Sequence, residues 1–541
     1  MRPSRPLAAA AVLALSAGGC GGGEGRGGTA APTSRTPGAR TVSASPSWIP
    51  AHVARMSAAE KVGQLFVPTF SGRADALAKI RRYHVGGFVH FAGNMSTPAK
   101  NAALSNALQK ASKVPLLLDV DEENGVVTRT PYLTRLPGNM ALGATRRPAD
   151  VRAAARVTAA ELRAIGINRN YAPVADVNVN PRNPVIGARS FGSDPAQVST
   201  LLTAAVAGIQ EARIAATAKH FPGHGDTAVD SHTGLPVITH SRAMWERLDA
   251  PPFKAAIAAG VDSIMTAHIV VPKLDASGDP STLSKTVLTG LLRQRLGFQG
   301  VIITDSLQMA GVRKKYSDAV VPVRAINAGA DQLLMPPSLP KAYRAVLAAV
   351  RSGVIPQRRL DDAVTRILRL KERRGLFQGT AVDPAKAASA IDTPAHRAIA
   401  RQVAEHATTL VRNQGGILPL KGRKVSVSGS RSAALAAALR RQGVRTTSRS
   451  KADVHVLTTH DAGAATASRI RALGPKPVVV AALGRPYDLN SAGRAAAALA
   501  TYSSSAASVA ALARVLAGTL NPTGRLPVPA AGKPVGHGLR Y

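Results

Sequence analysis

From Trp48 onward the chain alternates short apolar runs with stretches of helical period. The apolar runs fall at 62–70, 86–91, 114–120, 167–174, 215–218, 263–267, 300–304 and 331–335, and their length and spacing predict strands. Between and after them, 101–110, 148–164, 195–212, 245–259, 285–295 and 340–350 repeat apolar residues at helical spacing. Strands separated by helices predict parallel pairing, because a parallel neighbour requires a long crossover. Eight such units predict a TIM-like (β/α)8 barrel over 48–378, whose chemistry belongs at the C-terminal ends of its strands. A break at 379–384 follows. From 393 a predicted helix over 397–412 leads to strands at 425–428, 454–458 and 477–483 with Ala-rich helices between them. That order predicts a smaller α/β domain over 393–541, a doubly wound sheet with helices on both faces as in an αβα sandwich.

Before Trp48 the pattern changes. Residues 21–47 are mostly Gly, Ser, Thr, Pro and Ala with no hydrophobic period, the composition of a flexible linker. Ahead of it, Arg2 and Arg5 precede an apolar run over 7–17, and Ala17-Gly18-Gly19 lead into Cys20, the only cysteine. The run is too short to span a bilayer. It has the form of a signal peptide over 1–20 with a bacterial lipoprotein cleavage site, in which Cys20 is lipidated; an ordinary secretion signal is the other reading. A single cysteine excludes an internal disulfide and argues against a cysteine metal site.

With 45% hydrophobic residues, the 541-residue chain has the composition of a globular protein. Charge adds a constraint on partners: 69 Lys and Arg against 31 Asp and Glu give a formal +38, which attracts polyanions. Aromatics are few, no RNP-like or zinc-finger pattern is present, and the basic residues are scattered, so nucleic acid is not the expected partner. A basic surface facing an anionic envelope fits better, with membrane attachment through the lipid anchor only.

Polar residues gather where a barrel would use them. Asp121, Glu122 and Glu123 follow the third predicted strand, Asp176 and Arg189 the fourth, His268 the sixth and Asp305 the seventh. Any one of these alone could be a helix cap. After the fifth strand, 219–236 concentrates Lys219, His220, His224, Asp226, Asp230 and His232 among three glycines, a composition expected of a loop. Asp230 can hold one nitrogen of His232 and aim the other outward, the arrangement of an acid/base pair. Solvated loop residues and a metal site are the competing readings, although the spacing follows no helical H-x-x-x-H pattern.

The segment KHFPGHGDT at 219–227, followed by DSH at 230–232 and LP at 235–236, resembles the signature of family 3 glycoside hydrolases of the β-N-acetylhexosaminidase type. Further matches are MSxxEKVGQ at 56–64, DEENGVVTR at 121–129 against the family's DQEGGRVxR, RLPG at 135–138, NYAPVxDVN at 170–178 and IGxRSFG at 186–192. NPTGRLPV at 521–528 and GHGLRY at 536–541 resemble the C-terminal domain of two-domain members. The resemblance implies that Asp305 is the nucleophile and His232, with Asp230 as its partner, the acid/base. It implies that Asp121, Arg129, Arg189, Lys219 and His220 hold the sugar, and that no cofactor or metal is needed. The implied activity is a retaining exo-β-N-acetylglucosaminidase acting on peptidoglycan-derived or related β-linked glycans. A β-N-acetylglucosaminide phosphorylase and a non-catalytic cell-wall-binding lipoprotein are the alternatives.

Overall fold

The computed structural model of the chain describes residues 48–231 and 233–541. The expected signal peptide and linker, Cys20 and His232 lie outside the described residues.

Eight parallel strands form the first sheet system: β1 (Phe66–Val67), β2 (Gly87–His90), β3 (Leu117–Val120), β4 (Arg169–Asn170), β5 (Ala215–Phe221), β6 (Ser263–Thr266), β7 (Val301–Ile303) and β8 (Leu333–Leu334). β2 to β7 pair in chain order, and β1 pairs with β8 in the register Phe66 to Leu333. Backbone bonds from Gly86 N to Phe66 O (3.1 Å) and from Val89 N to Pro68 O (3.2 Å) join β1 to β2. Thr304 N to Gln332 O and Gln332 N to Ile302 O, both 3.0 Å, join β7 to β8. The eight strands therefore close a ring, as expected of a (β/α)8 barrel. Its interior is packed: Val67, Val89, Tyr171, Met265, Ile303 and Leu334 form one buried cluster. Beneath them the fully buried Arg169 meets both oxygens of Asp119 at 3.0 and 2.5 Å and Gln332 at 2.6 Å.

The second sheet runs in the order β11 (Arg445–Thr446), β10 (Lys424–Gly429), β12 (Val454–Thr459), β13 (Val478–Ala482), β14 (Ala497–Ala500) and β9 (Thr409–Asn413), with only β9 antiparallel. Strand alternation sends Val479 and Ala481 to one apolar layer and Val478, Val480 and Ala482 to the other. The first layer contains the helices Ser432–Arg441 and Ala506–Ala517. The second contains Met140, Ala141 and Ala144 of the helix Asn139–Thr145, so this sheet packs directly on a helix of the barrel half. Arg525 N to Ala144 O (2.9 Å) and Ser193 N to Pro527 O (3.0 Å) reinforce the contact.

Three expectations are corrected. The run 62–70 is mostly not strand: Ser57 and Glu60 form a capping box that starts the helix Ala58–Gln64, which takes up 62–64, and only Phe66–Val67 is strand. The helix expected over 397–412 is the helix Pro394–Ala407, which ends before Thr409–Asn413 turns into β9. The strand expected at 215–218 continues to Phe221, which carries Lys219 and His220 off the predicted loop and onto β5.

Candidate active site

The C-terminal end of β5 brings charge into the barrel mouth. Lys219 pairs with Met265 of β6, but the next paired residue is Phe221 with Thr266, so the register shifts across His220. A shift of this kind re-aims side chains, and both Lys219 and His220 are buried. Lys219 Nζ lies 2.5 Å from Asp121 Oδ1 and 2.6 Å from Glu123 Oε1. Arg189 donates to the same Glu123 through Nε (2.9 Å) and Nη2 (2.8 Å). Burial alone would push the Glu123 carboxyl up, but Arg189 and Lys219 together hold it far below its ordinary range. The segments following β3 and β4 and the end of β5 thus meet on one carboxylate.

His220 is oriented by Asp176. Its Nδ1 is 2.7 Å from Asp176 Oδ2, and Asp176 Oδ1 accepts the backbone N–H groups of His220 (3.2 Å) and His224 (2.8 Å). Arg189 Nη2 stands 3.3 Å from His220 Nε2. Asp176 and Arg189 thus stand against the two nitrogens of one ring.

Asp305 follows β7 and is partly exposed. Its backbone N–H reaches Thr266 Oγ1 (3.3 Å), and its Oδ1 accepts the Ser306 N–H (2.7 Å). His268, after β6, contacts Thr282 Oγ1 (2.8 Å) and the Ser306 carbonyl (2.9 Å), which frames the same backbone. Burial raises the Asp305 carboxyl, while His268, His220, the Ser306 N–H and Lys219 outweigh it and hold the group below its ordinary value. The carboxylate is anionic, and among the described residues nothing donates to its second oxygen.

The loop after β5 is pinned at both limbs. His240 bridges Asp249 Oδ2 (2.7 Å) and Asp226 Oδ2 (3.0 Å). The hydrogen bond to Asp249 outweighs burial and, with Asp226, raises His240 to about 9. His224 Nε2 contacts Ser231 Oγ at 3.0 Å, and burial lowers His224 to about 4, so it is a neutral link. Gly311 N donates to Ser231 O (3.3 Å), and a Cβ on Gly311 would meet Gly234 O at 3.0 Å and Ser231 O at 3.1 Å. Ser231 and Gly234, on either side of position 232, therefore lie against the segment that follows Asp305. Asp230 is partly exposed in this loop, and its carbonyl accepts the Gly234 N–H at 2.8 Å.

Of the expected site residues, Asp121, Arg189, Lys219 and His220 meet in one cluster, and Asp305 lies within its field. Arg129 takes a different partner: its guanidinium lies over the Phe91 ring at 5.4 Å. Its backbone N–H and that of Thr130 donate to Glu122, whose buried carboxyl is pushed up to about 7. Glu123, Asp176 and His224, which the sequence placed at the barrel mouth or in the loop without a catalytic or sugar-binding role, organise the site. The signal available for Glu123 and Asp176 was their position just past a strand. The second domain reaches the same rim, where Asn178 Nδ2 donates to Tyr487 Oη at 3.2 Å.

Residues 57–370 match the glycosyl hydrolase family 3 N terminal domain, and 433–534 match the glycosyl hydrolase family 3 C-terminal domain. The chain is 38% identical over 385 residues to a Cellulomonas fimi protein named beta-N-acetylglucosaminidase/beta-glucosidase, across 69% of this chain and 68% of that one. It is 34% identical over 338 residues to the beta-hexosaminidase LpqI of Mycobacterium tuberculosis, across 61% of this chain and 85% of that protein. Among solved structures, a glycoside hydrolase family 3 beta-N-acetylglucosaminidase from Paenibacillus sp. str. FPU-7 superposes with a TM-score of 0.82 at 37% identity, covering 88% of this chain and 99% of that one.

Two outcomes follow from the cluster and the loop. Glu123→Gln leaves the Arg189 guanidinium without its carboxylate and the buried Lys219 with Asp121 alone, and equilibrium unfolding in urea will register a loss of about 3–5 kcal/mol; a change within ±0.5 kcal/mol would contradict the assigned constraint. His240 has a pKa raised from 6.5 to about 9, so its contribution to stability is complete below 6.5 and disappears as pH rises through about 9. Between those values the wild type will lose more unfolding free energy than His240→Gln, and parallel pH profiles would refute the clamp.

Proposed function

The chain belongs to glycosyl hydrolase family 3, and from that premise we propose that it is a retaining exo-β-N-acetylglucosaminidase that removes terminal GlcNAc from peptidoglycan-derived glycans. It is a glycoside hydrolase, and the relatives named beta-N-acetylglucosaminidase and beta-hexosaminidase support the choice of sugar. The observation that carries the reading is Asp305: an anionic, partly exposed carboxylate at the barrel rim, with one oxygen held by the Ser306 N–H, beside a cluster rich in hydroxyl-binding groups.

Asp121, Arg189, Lys219 and His220 supply both donors and acceptors, as a neutral pyranose requires. Asp305 attacks the anomeric carbon as the glycosidic oxygen departs, forming a glycosyl-aspartate. His232, held by Asp230, gives the departing oxygen its proton. It then takes a proton from the water that attacks the same carbon and releases Asp305. The contacts of Ser231 and Gly234 with Gly311 support this pairing, because they bring the loop to the segment after Asp305.

Hydrolysis is favoured over phosphorolysis by charge. The two cations of the cluster, Arg189 and Lys219, are already neutralised by Glu123 and Asp121, which leaves little positive potential for an incoming phosphate. A purely wall-binding role would not need Asp305 held anionic against its burial. The apolar run over 7–17 ahead of Cys20 and the basic character of the chain support the reading of an extracytoplasmic enzyme tethered by lipid to the membrane.

Asp305→Ala will lower turnover of an aryl β-N-acetylglucosaminide by about 10³-fold or more; retention of wild-type turnover would sink the assignment. Phosphate added to the wild-type reaction will leave GlcNAc as the product, whereas accumulation of a sugar 1-phosphate would identify a phosphorylase. Expressed in a bacterium that processes lipoproteins, the Cys20→Ala protein will leave the membrane fraction that retains the wild type. Equal membrane retention of both would contradict lipid tethering.

A further inference from the structure

The end of the barrel opposite the candidate active site holds a second cavity, of about 370 Å³. Catalytic candidates follow strands, whereas the lining of this cavity comes from residues that precede β1, β2 and β3. Five basic side chains line it: His52, Arg55, Arg81, His84 and Lys113. They share one carboxylate, Glu60, which already accepts the Ser57 N–H at 3.0 Å and stands 3.7 Å from Lys113. Arg55 and Arg81 have no carboxylate within ion-pair distance among the described residues, and His52 Nε2 is buried without a partner there. A concave site of this size accommodates a small ligand. Arg55 and Arg81, exposed guanidinium groups without a paired carboxylate, together with the exposed Lys113, give this mouth an excess of positive charge that suits an oxyanion, phosphate above all.

The rim adds an apolar component. Trp48 packs edge-on against His52 (5.2 Å between ring centroids) and against Phe377 (4.7 Å). Both rim aromatics remain 38% and 36% exposed. Exposed aromatics beside a cationic pocket match the boundary between headgroups and acyl chains, where an amphipathic ring has one face apolar and one wet.

We propose that this cavity binds a phosphate-bearing anion and that its ligand is the headgroup of an anionic phospholipid, with Trp48 and Phe377 entering the interface. Seated this way, the barrel turns its N-terminal end to the membrane and holds the catalytic end outward, toward polymeric substrate. Nothing in this inference depends on the identity of the sugar or on lipidation of Cys20.

The test titrates the full-length protein by calorimetry with soluble short-chain phosphatidylglycerol, short-chain phosphatidylcholine and inorganic phosphate. It compares wild type, Arg55→Ala/Arg81→Ala/Lys113→Ala, and a charge-matched control, Arg441→Ala/Arg445→Ala/Arg469→Ala, built on exposed residues of the second domain. Wild type and control will bind phosphatidylglycerol at least ~10-fold more tightly than phosphatidylcholine, and the cavity variant will lose about 30-fold or more in affinity. Unchanged turnover of an aryl glycoside will certify that both variants are folded. Phosphate binding as tightly as phosphatidylglycerol, and lost in the cavity variant, would keep the anion site and overturn the lipid assignment. Phosphatidylglycerol affinity unaffected by the cavity variant, or reduced equally by the control, would overturn the proposal.

Discussion

A single carboxylate, Glu123, organises the mouth of this barrel. A buried charge is costly unless it is paired and hydrogen-bonded, and Glu123 meets that condition only when Arg189 and Lys219 approach it together. Arg189 comes from the connection after β4 and Lys219 from the end of β5, so satisfying one side chain sets the relative positions of three segments. Lys219 in turn holds Asp121, and Arg189 faces His220, whose ring is fixed by Asp176. The cost of burial is thereby converted into geometry: groups able to bind hydroxyls are presented in one arrangement before any ligand arrives.

The second domain contributes by buttressing. Met140, Ala141 and Ala144 of the barrel half share an apolar layer with β13 and β14, and Pro527 accepts the Ser193 N–H just past the Arg189 segment. A Cβ at Gly192 would come within 2.5 Å of Pro527 O, and one at Gly143 within 1.7 Å of Phe191 O. Glycine at these two positions lets the Arg189 loop lie between helix and second domain. On the other side of the mouth, a charged imidazole at His240 and a neutral one at His224 secure the loop that carries Asp230. One residue type thus serves two ends: carboxylate partners keep the first protonated, and burial keeps the second neutral.

Much of this was legible in the residues. Alternating strands and helices announced the barrel, and the polar residues beyond strands three to seven marked its working end. Where the reading failed, tertiary context had overridden local pattern. Ala497–Ala500, which the apolar pattern leaves unassigned, is rich in a helix former, yet it is a strand because both of its faces are buried in the second sheet. Lys219 and His220 looked like loop residues because charge is rarely buried, but ion pairing makes burial tolerable on β5. Glu123 could not be told apart from Glu122 on the same ground. Sequence gives adjacency, and only the fold reveals that one of the two carboxylates faces two cations while the other, Glu122, accepts backbone N–H groups from Arg129 and Thr130.

The account rests on Asp305 being the atom donor that bonds to the sugar. Incubation with an activated, fluorinated N-acetylglucosaminyl donor, which slows release of the intermediate, followed by proteolysis and mass spectrometry, tests this directly. The account predicts a single glycosylated peptide with the label on Asp305. A label on any other carboxylate, or full turnover of the reagent with inversion and no trapped species, would contradict it.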